Sequence, residues 1–275
     1  MRPMSPVVLG LDIGTQSTKA LLLDASSGAV LGRGSSPHTV LCPRPGAAEQ
    51  EPSSWLDAVA AATREALAAG CVDASSIAAV GVSGQQHGLV LLGGDGGTLR
   101  PAKLWCDTES HGEAAELSAA SGCVQTAAFT ASKILWVKRR EPEVWAATRS
   151  VLLPKDYVVY SLTGVLCCEP SDASGTGLFD ETARAFDAAA CARLDARLLG
   201  PSGDARGGGP GALLPRCAGS PDEAVGFVTE SASKRFGIPA GVPVAAGGGD
   251  NACAALGVGV CEPGTLIVSL GTARF

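Results

Sequence analysis

The sequence predicts an α/β domain in which a mixed sheet is flanked by helices, and two observations carry this prediction. The 275 residues are 46% hydrophobic and 17% charged, with 4% aromatic residues and 36 glycines. Such a balance suits helices rich in Ala that pack on strands rich in Val and Leu. The second observation is the order of the periodic segments, since three strand-like runs come first and helices and strands then alternate.

Three strands open the predicted domain. Apolar runs at residues 7–13 and 19–23 lie on either side of a Gly-Thr-Gln-Ser turn. A third run starts at Ala29, after a turn at Ser27 and Gly28. Runs of this kind, separated by short turns, predict a β-meander.

The next stretch, EPSSWLDAVAAATREALAAG, predicts a helix of about four turns. Its apolar residues recur at helical spacing: Trp55, Val59, Ala62 and Ala66. Pro52 and Ser53 are typical of a helix start, and Gly70 is typical of a helix end.

Helices and strands alternate in the rest of the chain. The run IAAVGVSG (residues 77–84) is typical of a buried parallel strand, and another run covers residues 89–92. Helical periodicity recurs at residues 112–120, 132–147 and 230–237. The stretch PVAAGGGDNACAALGVGV predicts a strand, a glycine-rich bend and a helix of small residues, and TLIVSLGT (residues 265–272) predicts a last strand.

Three strands followed by alternating helices and strands is the element order of the ribonuclease-H-like domain that actin-like ATPases and sugar kinases share. The segment at residues 199–211 interrupts this order, because it is rich in Gly and Pro and has no periodicity. We interpret it as a flexible surface loop without an assigned function.

Composition and charge exclude several classes of protein. A net charge of −6, without a long Lys/Arg cluster, argues against nucleic-acid binding. No apolar run approaches the roughly 18 residues of a membrane span, and Asp12 interrupts the first run before it could act as a signal sequence. The ten cysteines are scattered through apolar segments without a CxxC pair, which favours reduced, mostly buried thiols. We therefore expect a cytoplasmic protein.

Asp12 ends the first predicted strand, and Gly14, Thr15, Ser17 and Lys19 follow it. Glycine lets the backbone approach a phosphate, amides and hydroxyls of the turn can donate to it, and a carboxylate can hold hydrated Mg²⁺ beside it. A hairpin turn that begins with an aspartate explains the same residues equally well.

Asp250 follows three glycines at the end of another predicted strand and opens a helix. Side chains at that edge of an open α/β sheet face the ligand crevice, and a helix N-terminus stabilises a carboxylate. Asp250 could accept a proton from a substrate hydroxyl there. Since Asp is also favoured as an N-cap, a purely structural role is an equal alternative.

Two further segments offer polar groups that suit a sugar. Gln85, Gln86 and His87 follow a predicted strand and carry the amide and imidazole groups that hydroxyl recognition requires. Trp105 and Asp107 could stack on the apolar face of a sugar and accept from its hydroxyls. A structural histidine and a core tryptophan are the alternatives.

Eight motifs occur together in one order: DIGTQSTK, GVSGQQHG, LWCD, FTASKILWVKRREPE, LLPKDYVVYSLTG, SDASGTGLFD, GGGDNACAALGVG and SLGT. This set closely resembles the xylulokinases of the FGGY family of carbohydrate kinases. The resemblance covers residues 7–272. The motifs PKDY, SDASGT and GGGDN are together specific to sugar kinases of this group.

The resemblance implies a kinase that transfers the γ-phosphate of ATP, with Mg²⁺, to a ketopentose, most readily D-xylulose. It implies that Asp250 is the base and that Asp12 serves Mg²⁺ and the phosphates. Gln86, His87, Trp105, Asp107 and Asn251 are then the residues at the ketose. Two facing phosphate loops would comprise Gly14, Thr15, Gln16 and Lys19 on one side and Gly271 and Thr272 on the other. A homodimer is compatible with the resemblance.

The sequence departs from the family pattern in two places. Many bacterial xylulokinases have Trp-Asn-Asp-x-Arg where this chain has Trp105-Cys106-Asp107-Thr108-Glu109, so an amide and a cation are missing near the predicted sugar pocket. Family members commonly have a second actin-like domain. We therefore expect residues 1–264 to form the sugar-binding domain and residues 265–275 to form the first strand and phosphate loop of a truncated second domain.

On this interpretation the chain is an incomplete fragment of a kinase and is inactive by itself. Two alternatives remain open. The first is a non-catalytic sugar-binding or regulatory relic that has kept the pocket. The second is an actin-like ATPase that serves as a switch, against which GQQHG and the Trp105 region favour a sugar ligand.

Overall fold

The computed structural model describes residues 5–260, 262 and 264–268. Its strands are β1 (Val7–Ile13), β2 (Ser17–Asp24), β3 (Val30–Pro37), β4 (Glu49–Gln50), β5 (Ile77–Gly84), β6 (Val90–Leu92), β7 (Ala102–Lys103), β8 (Ser150–Leu152), β9 (Cys167–Cys168), β10 (Phe179–Asp180), β11 (Ala185–Phe186), β12 (Arg216–Cys217), β13 (Ala224–Phe227), β14 (Pro243–Ala245) and β15 (Gly248–Gly249). Its α-helices are α1 (Pro52–Gly70), α2 (His111–Ser121), α3 (Thr130–Arg140), α4 (Pro142–Ala147), α5 (Pro154–Thr163), α6 (Pro170–Ala173), α7 (Ala188–Leu194), α8 (Glu230–Phe236) and α9 (Asp250–Gly257).

The central sheet is mixed and has the strand order β13-β14-β5-β1-β2-β3. β1, β5 and β14 run parallel to one another, and β15 also pairs with β5 in parallel. The first three strands form the predicted antiparallel meander. The remaining strands form two-stranded sheets outside this one.

Helix α1 covers one face of the meander. The four apolar residues at helical spacing are fully buried: Trp55, Val59, Ala62 and Ala66. The helix backbone lies against β3, where a Cβ at Gly32 or Gly34 would overlap carbonyl groups of α1. The absence of side chains at these two glycines therefore lets the helix and the strand approach closely.

The parallel strands bring three segments to one edge of the sheet. Asp12 of β1 and Gly248 of β15 are both register partners of Ser83 in β5. Carboxyl ends of neighbouring parallel strands lie side by side, at the edge where open α/β sheets bind their ligands. The residues that follow β1, β5 and β15 therefore meet there.

The predicted helix at residues 132–147 is wrong as a single element. The structure has α3 and α4 instead, and Glu141 between them has a non-helical φ of −133°. Pro142 explains the break, because proline lacks the N–H of a helical hydrogen bond and disfavours the helical conformation of the residue before it. The apolar periodicity continues across this break.

Three other predictions had mixed outcomes. Residues 199–211 contain neither an α-helix nor a strand, as expected for a surface loop. Residues 265–268 are not in a strand, and residues 269–272 of the predicted last strand lie outside the described part of the chain. The expectation of mostly buried thiols is wrong for Cys42, Cys71 and Cys123, which are exposed. Among the described residues, no helix is both long and apolar enough to span a membrane.

Candidate active site

Asp12 is the first polar group at the binding edge of the sheet. Its Oδ1 accepts a hydrogen bond from the Ser83 hydroxyl at 3.4 Å, and its Oδ2 lies 3.5 Å from the Lys19 ammonium. Its side chain is 37% exposed, so the carboxylate is partly open to solvent. A partly exposed carboxylate is the type of ligand by which Mg²⁺ is held beside substrate phosphates, so Asp12 fits the ion that the sequence predicts.

Thr15 and Trp105 are linked directly, although ninety residues separate them. The Trp105 indole N–H donates to the Thr15 hydroxyl at 2.9 Å, and this hydroxyl donates to Gln85 Oε1 at 3.0 Å. The Thr15 hydroxyl therefore already has both a donor and an acceptor within the protein. The phosphate contacts predicted for this loop stay a prediction. The Gly14 N–H bonds to the Ser17 carbonyl at 3.0 Å, and the ammonium of Lys19 is exposed. Gln16 in the same turn is also exposed.

Asp250 lies at the start of α9, where Gly249 rather than Asp250 occupies the N-cap position. The alternative of a simple N-cap is therefore not supported by the geometry. Burial raises the pKa of Asp250 above its usual range, and the nearby charge of Asp12 raises it further, while the Asn251 N–H opposes both effects. A carboxylate with a raised pKa is a stronger base near neutral pH. The structure thus brings the two predicted carboxylates together.

Gln86 connects the loop after β5 to the start of α9. Its Nε2 donates to the Ser171 carbonyl at 3.2 Å, and its Oε1 accepts from Asn251 Nδ2 at 3.0 Å. The amide packs directly on Gly249, where a Cβ would overlap it. Each polar atom of the Gln86 amide keeps capacity for one more hydrogen bond.

His87 is held in one orientation and one tautomer. Its Nδ1 lies 2.8 Å from the Gly175 carbonyl, so Nδ1 carries the proton of the neutral ring and Nε2 is left as an acceptor. Burial lowers the pKa of His87, which keeps the ring neutral. Its backbone has a positive φ of 65°, a conformation that non-glycine residues seldom adopt outside functional or strongly constrained positions.

Asp107 has protein donors on both carboxylate oxygens. Oδ2 accepts from the Ala48 N–H and from Lys103 Nζ, each at 2.9 Å, and Oδ1 accepts from the Glu109 N–H at 3.2 Å. The side chain is fully buried. Its predicted contact with the sugar therefore finds no support in this geometry, and the predicted sugar contact of Trp105 stays a prediction.

The same cluster accounts for the unusual residue at position 109. Glu109 pairs with Arg44 at 2.5 Å and with Lys103 at 2.6 Å. The carboxylates of Glu49, Asp107 and Glu109 lie close enough together to share a cation. Because Lys103 Nζ lies within 3.7 Å of each of them, its ammonium already supplies the positive charge.

The motifs PKDY and SDASGT contain charged residues to which the sequence alone assigns no role. Four charged side chains are fully buried here: Lys155 and Asp156 of PKDY, Asp172 of SDASGT, and Glu169, which lies two residues before SDASGT. Lys155 Nζ lies 2.5 Å from Asp156 and 3.8 Å from both Glu169 and Asp172. The one signal in the sequence was a set of charges inside otherwise apolar segments. Gly271 and Thr272, predicted for the second phosphate loop, lie outside the described residues.

Comparison with known proteins identifies the family. A family model described as the N-terminal domain of the FGGY family of carbohydrate kinases matches residues 7–257. The chain belongs to the FGGY family of carbohydrate kinases. The resemblance inferred from the motifs is confirmed, and residues 7–257 of this FGGY chain include every predicted site residue except Gly271 and Thr272.

The FGGY chain is similar to known xylulose kinases over about half of their length. A xylulose kinase from Streptomyces rubiginosus is 42% identical over 279 residues, which cover 97% of this chain and 53% of the relative. A solved structure of a xyloylose kinase from Brucella ovis has a TM-score of 0.83 at 37% identity, covering 97% of this chain and 52% of that one. The xylulose kinase from Rhodospirillum rubrum also gives 0.83, at 30% identity, covering 94% and 52%. The predicted fold, a ribonuclease-H-like or actin-like domain with a mixed, helix-flanked sheet, is confirmed.

Proposed function

We propose that this chain is the sugar-binding half of an ATP-dependent kinase that converts D-xylulose to D-xylulose 5-phosphate. The observation that carries the proposal is that Asp12 and Asp250 lie at the ends of neighbouring strands, beside Gln86 and His87. In-line phosphoryl transfer needs one group to serve the attacking hydroxyl and another to serve the metal. The names of the similar proteins support a ketopentose as the acceptor.

Each of these residues has one proposed task. Asp250 accepts the proton of the attacking hydroxyl, a task for which its raised pKa suits it. His87 Nε2 accepts a hydrogen bond from a second hydroxyl, and the Gln86 amide has one free donor and one free acceptor position for the sugar. Asp12 holds Mg²⁺, which when bound neutralises negative charge on the phosphates.

We propose that the remaining parts of the kinase correspond to the half of the relatives that this chain does not match. That half would supply the adenosine pocket and, together with Gly271 and Thr272, the second phosphate loop. We also propose that the enzyme works in the cytoplasm, where ATP is available to it. The chain alone should then bind the ketose and fail to phosphorylate it, because transfer needs the nucleotide fixed in line with the hydroxyl.

A chimera tests this proposal. It joins this chain to the C-terminal half of the Streptomyces rubiginosus relative. This relative is 42% identical to the chain over the region that the chain matches. We expect D-xylulose to quench tryptophan fluorescence of both proteins, and coupled ADP release to require the chimera, D-xylulose and MgATP together. Ketose binding without turnover by a folded chimera that binds MgATP would favour the sugar-binding relic, and steady turnover by this chain alone would contradict the division of labour.

A double substitution tests the proposed ketose contacts. Gln86→Ala with His87→Ala should weaken ketose binding to this chain, since each lost hydrogen bond to a neutral hydroxyl costs about 0.5–1.5 kcal/mol. MgATP affinity of the chimera should stay nearly constant. Calorimetry measures both affinities. His111→Ala is the matched control, because this exposed ring at the start of α2 bonds to the Thr108 carbonyl and to no other group among the described residues. Equal ketose affinity in the double variant would assign GQQHG to structure.

A further inference from the structure

Asp250 stands at the start of a short helix that buries little of its own surface. None of the residues of α9 is fully buried, although Asp250 is partly buried. The strand before it is interrupted at Gly247, which has a φ of +78° and lies so close to Val82 that a Cβ would overlap the Val82 carbonyl. The direction in which the Asp250 carboxylate points therefore depends on the bonds made by the residues on either side of it.

Those bonds converge on one residue, Ser171. The Gly249 N–H donates to the Ser171 hydroxyl at 3.1 Å. The Ser171 carbonyl accepts from Gln86 Nε2 at 3.2 Å, and Gln86 Oε1 in turn accepts from Asn251 Nδ2 at 3.0 Å. The residue before Asp250 is thus bound to Ser171 directly, and the residue after it is bound to Ser171 through Gln86.

The Ser171 hydroxyl is itself held in place by the buried carboxylate of Glu169. Its proton goes to Glu169 Oε1 at 2.8 Å, which leaves its lone pairs free to accept from Gly249. The Glu169 carboxylate also accepts the N–H groups of Ser171 and Asp172, each at 2.7 Å, so it has donors on both oxygens. Lys155, 3.8 Å from Glu169, compensates its charge inside the protein.

We propose that Ser171 is a positioning residue for Asp250, and that the buried pair of Lys155 and Glu169 holds its hydroxyl in the orientation this requires. The inference rests on the proposed function, because it assigns Asp250 the role of base. Ser171 is not a catalytic residue in this scheme, since it bonds to the neighbours of Asp250 and not to the substrate. The path runs from Lys155 through Glu169 and Ser171 to Gly249.

Ser171→Ala in the chimera separates positioning from sugar binding. It removes the acceptor of the Gly249 N–H and keeps the carbonyl that holds Gln86. We expect kcat to fall by about 10- to 100-fold, because a displacement of the reacting group by about 1 Å can cost that much. The KM for the ketose, and ketose affinity of this chain by calorimetry, should stay nearly constant.

Conservative variants and a control complete the test. Ser171→Thr keeps the hydroxyl and should restore most of kcat, whereas Ser171→Cys, a poor acceptor of similar size, should behave like Ser171→Ala and replaces it if the alanine variant does not fold. Ser161→Ala removes a hydroxyl that donates to the Tyr157 carbonyl within α5, away from the candidate site, and should leave kcat unchanged.

The outcomes distinguish this inference from the proposed function. Absence of ketose-dependent ADP release by the unchanged, folded chimera would remove the proposed function itself. With an active chimera, unchanged kcat in both Ser171→Ala and Ser171→Cys would overturn the positioning role. A loss of kcat that Ser171→Thr does not restore, or one matched by an equal loss of ketose affinity, would overturn it as well.

Discussion

A chimera that carries Asp250→Asn should turn over D-xylulose about 10² to 10⁴ times more slowly than the unchanged chimera, the range expected when a positioned general base is lost. Asparagine keeps the Oδ1 atom that accepts the Asn251 N–H at 2.7 Å, so the start of α9 should retain its geometry. It cannot accept the proton of the attacking hydroxyl. Ketose affinity should therefore change little while kcat falls.

The pH dependence provides a second reading of the same prediction. A base must be deprotonated to act, so activity is lost as the pH falls through its pKa. Because burial raises the pKa of Asp250, the acid limb of kcat/KM should lie at higher pH than an exposed aspartate would give. Asp250→Asn should abolish this limb. Asp57→Asn, at a side chain that is 77% exposed, is the control, and near-normal turnover by Asp250→Asn would exclude the base role.

Local periodicity explains why most of the sheet and α1 could be predicted. Residues 7–13 alternate buried and partly buried positions as the sequence indicates, and the four inward residues of α1 follow the helical period. These patterns depend only on neighbours in the chain. The break at Pro142 was equally local, but the apolar residues on both sides of it continue one period and conceal it.

The candidate site was predictable only in part, and the reason is sequence distance. Asp12 lies near the end of β1, and His87 and Asp250 follow β5 and β15. The carboxyl ends of these parallel strands lie at one edge of the sheet. The partners of the Thr15 hydroxyl could not be predicted, because Gln85 and Trp105 lie 70 and 90 residues away in the sequence. The same holds for the Ala48 N–H that bonds to Asp107, 59 residues away. Which groups bond to the Thr15 hydroxyl and to the Asp107 carboxylate is therefore decided by the fold and not by the motifs that contain them.

The buried cluster at Lys155 was hidden for a related reason. Charged residues are almost never fully buried without a partner, so a sequence gives no ground for placing four of them together in the interior. The cluster forms because α5, β9 and α6 pack against one another and against Ala246, whose carbonyl lies 3.5 Å from Lys155 Nζ. Because Glu169 of this cluster accepts a hydrogen bond from the Ser171 hydroxyl, the cluster affects both the stability of the domain and the geometry of the candidate site.

Lys155→Met should lower the free energy of unfolding of this chain at pH 7 by about 3–5 kcal/mol, the cost of breaking a fully buried ion pair and leaving its partner without compensation. Burial by itself would lower the pKa of Lys155, but Asp156, Asp172 and Glu169 raise it above its usual range, so the lysine is charged in the folded protein. Methionine fills similar space without a charge. Three buried carboxyl groups would then lack their shared cation.

The deficit of Lys155→Met should shrink as the pH falls. Burial already raises the pKa of Asp172 well above its usual range in the unchanged protein, against the opposing effect of Lys155. Without the lysine, the folded state binds more protons at these carboxyl groups than the unfolded chain does, so lowering the pH from 7 towards about 5 favours the folded state of the variant.

Urea unfolding at pH 7, 6 and 5 measures the difference from the unchanged protein. Arg206→Met, which breaks an exposed pair with Asp204, should cost only about 0–1 kcal/mol, and a Lys155→Met deficit that is equally small, or that grows at low pH, would mean that the cluster is not held by the lysine charge.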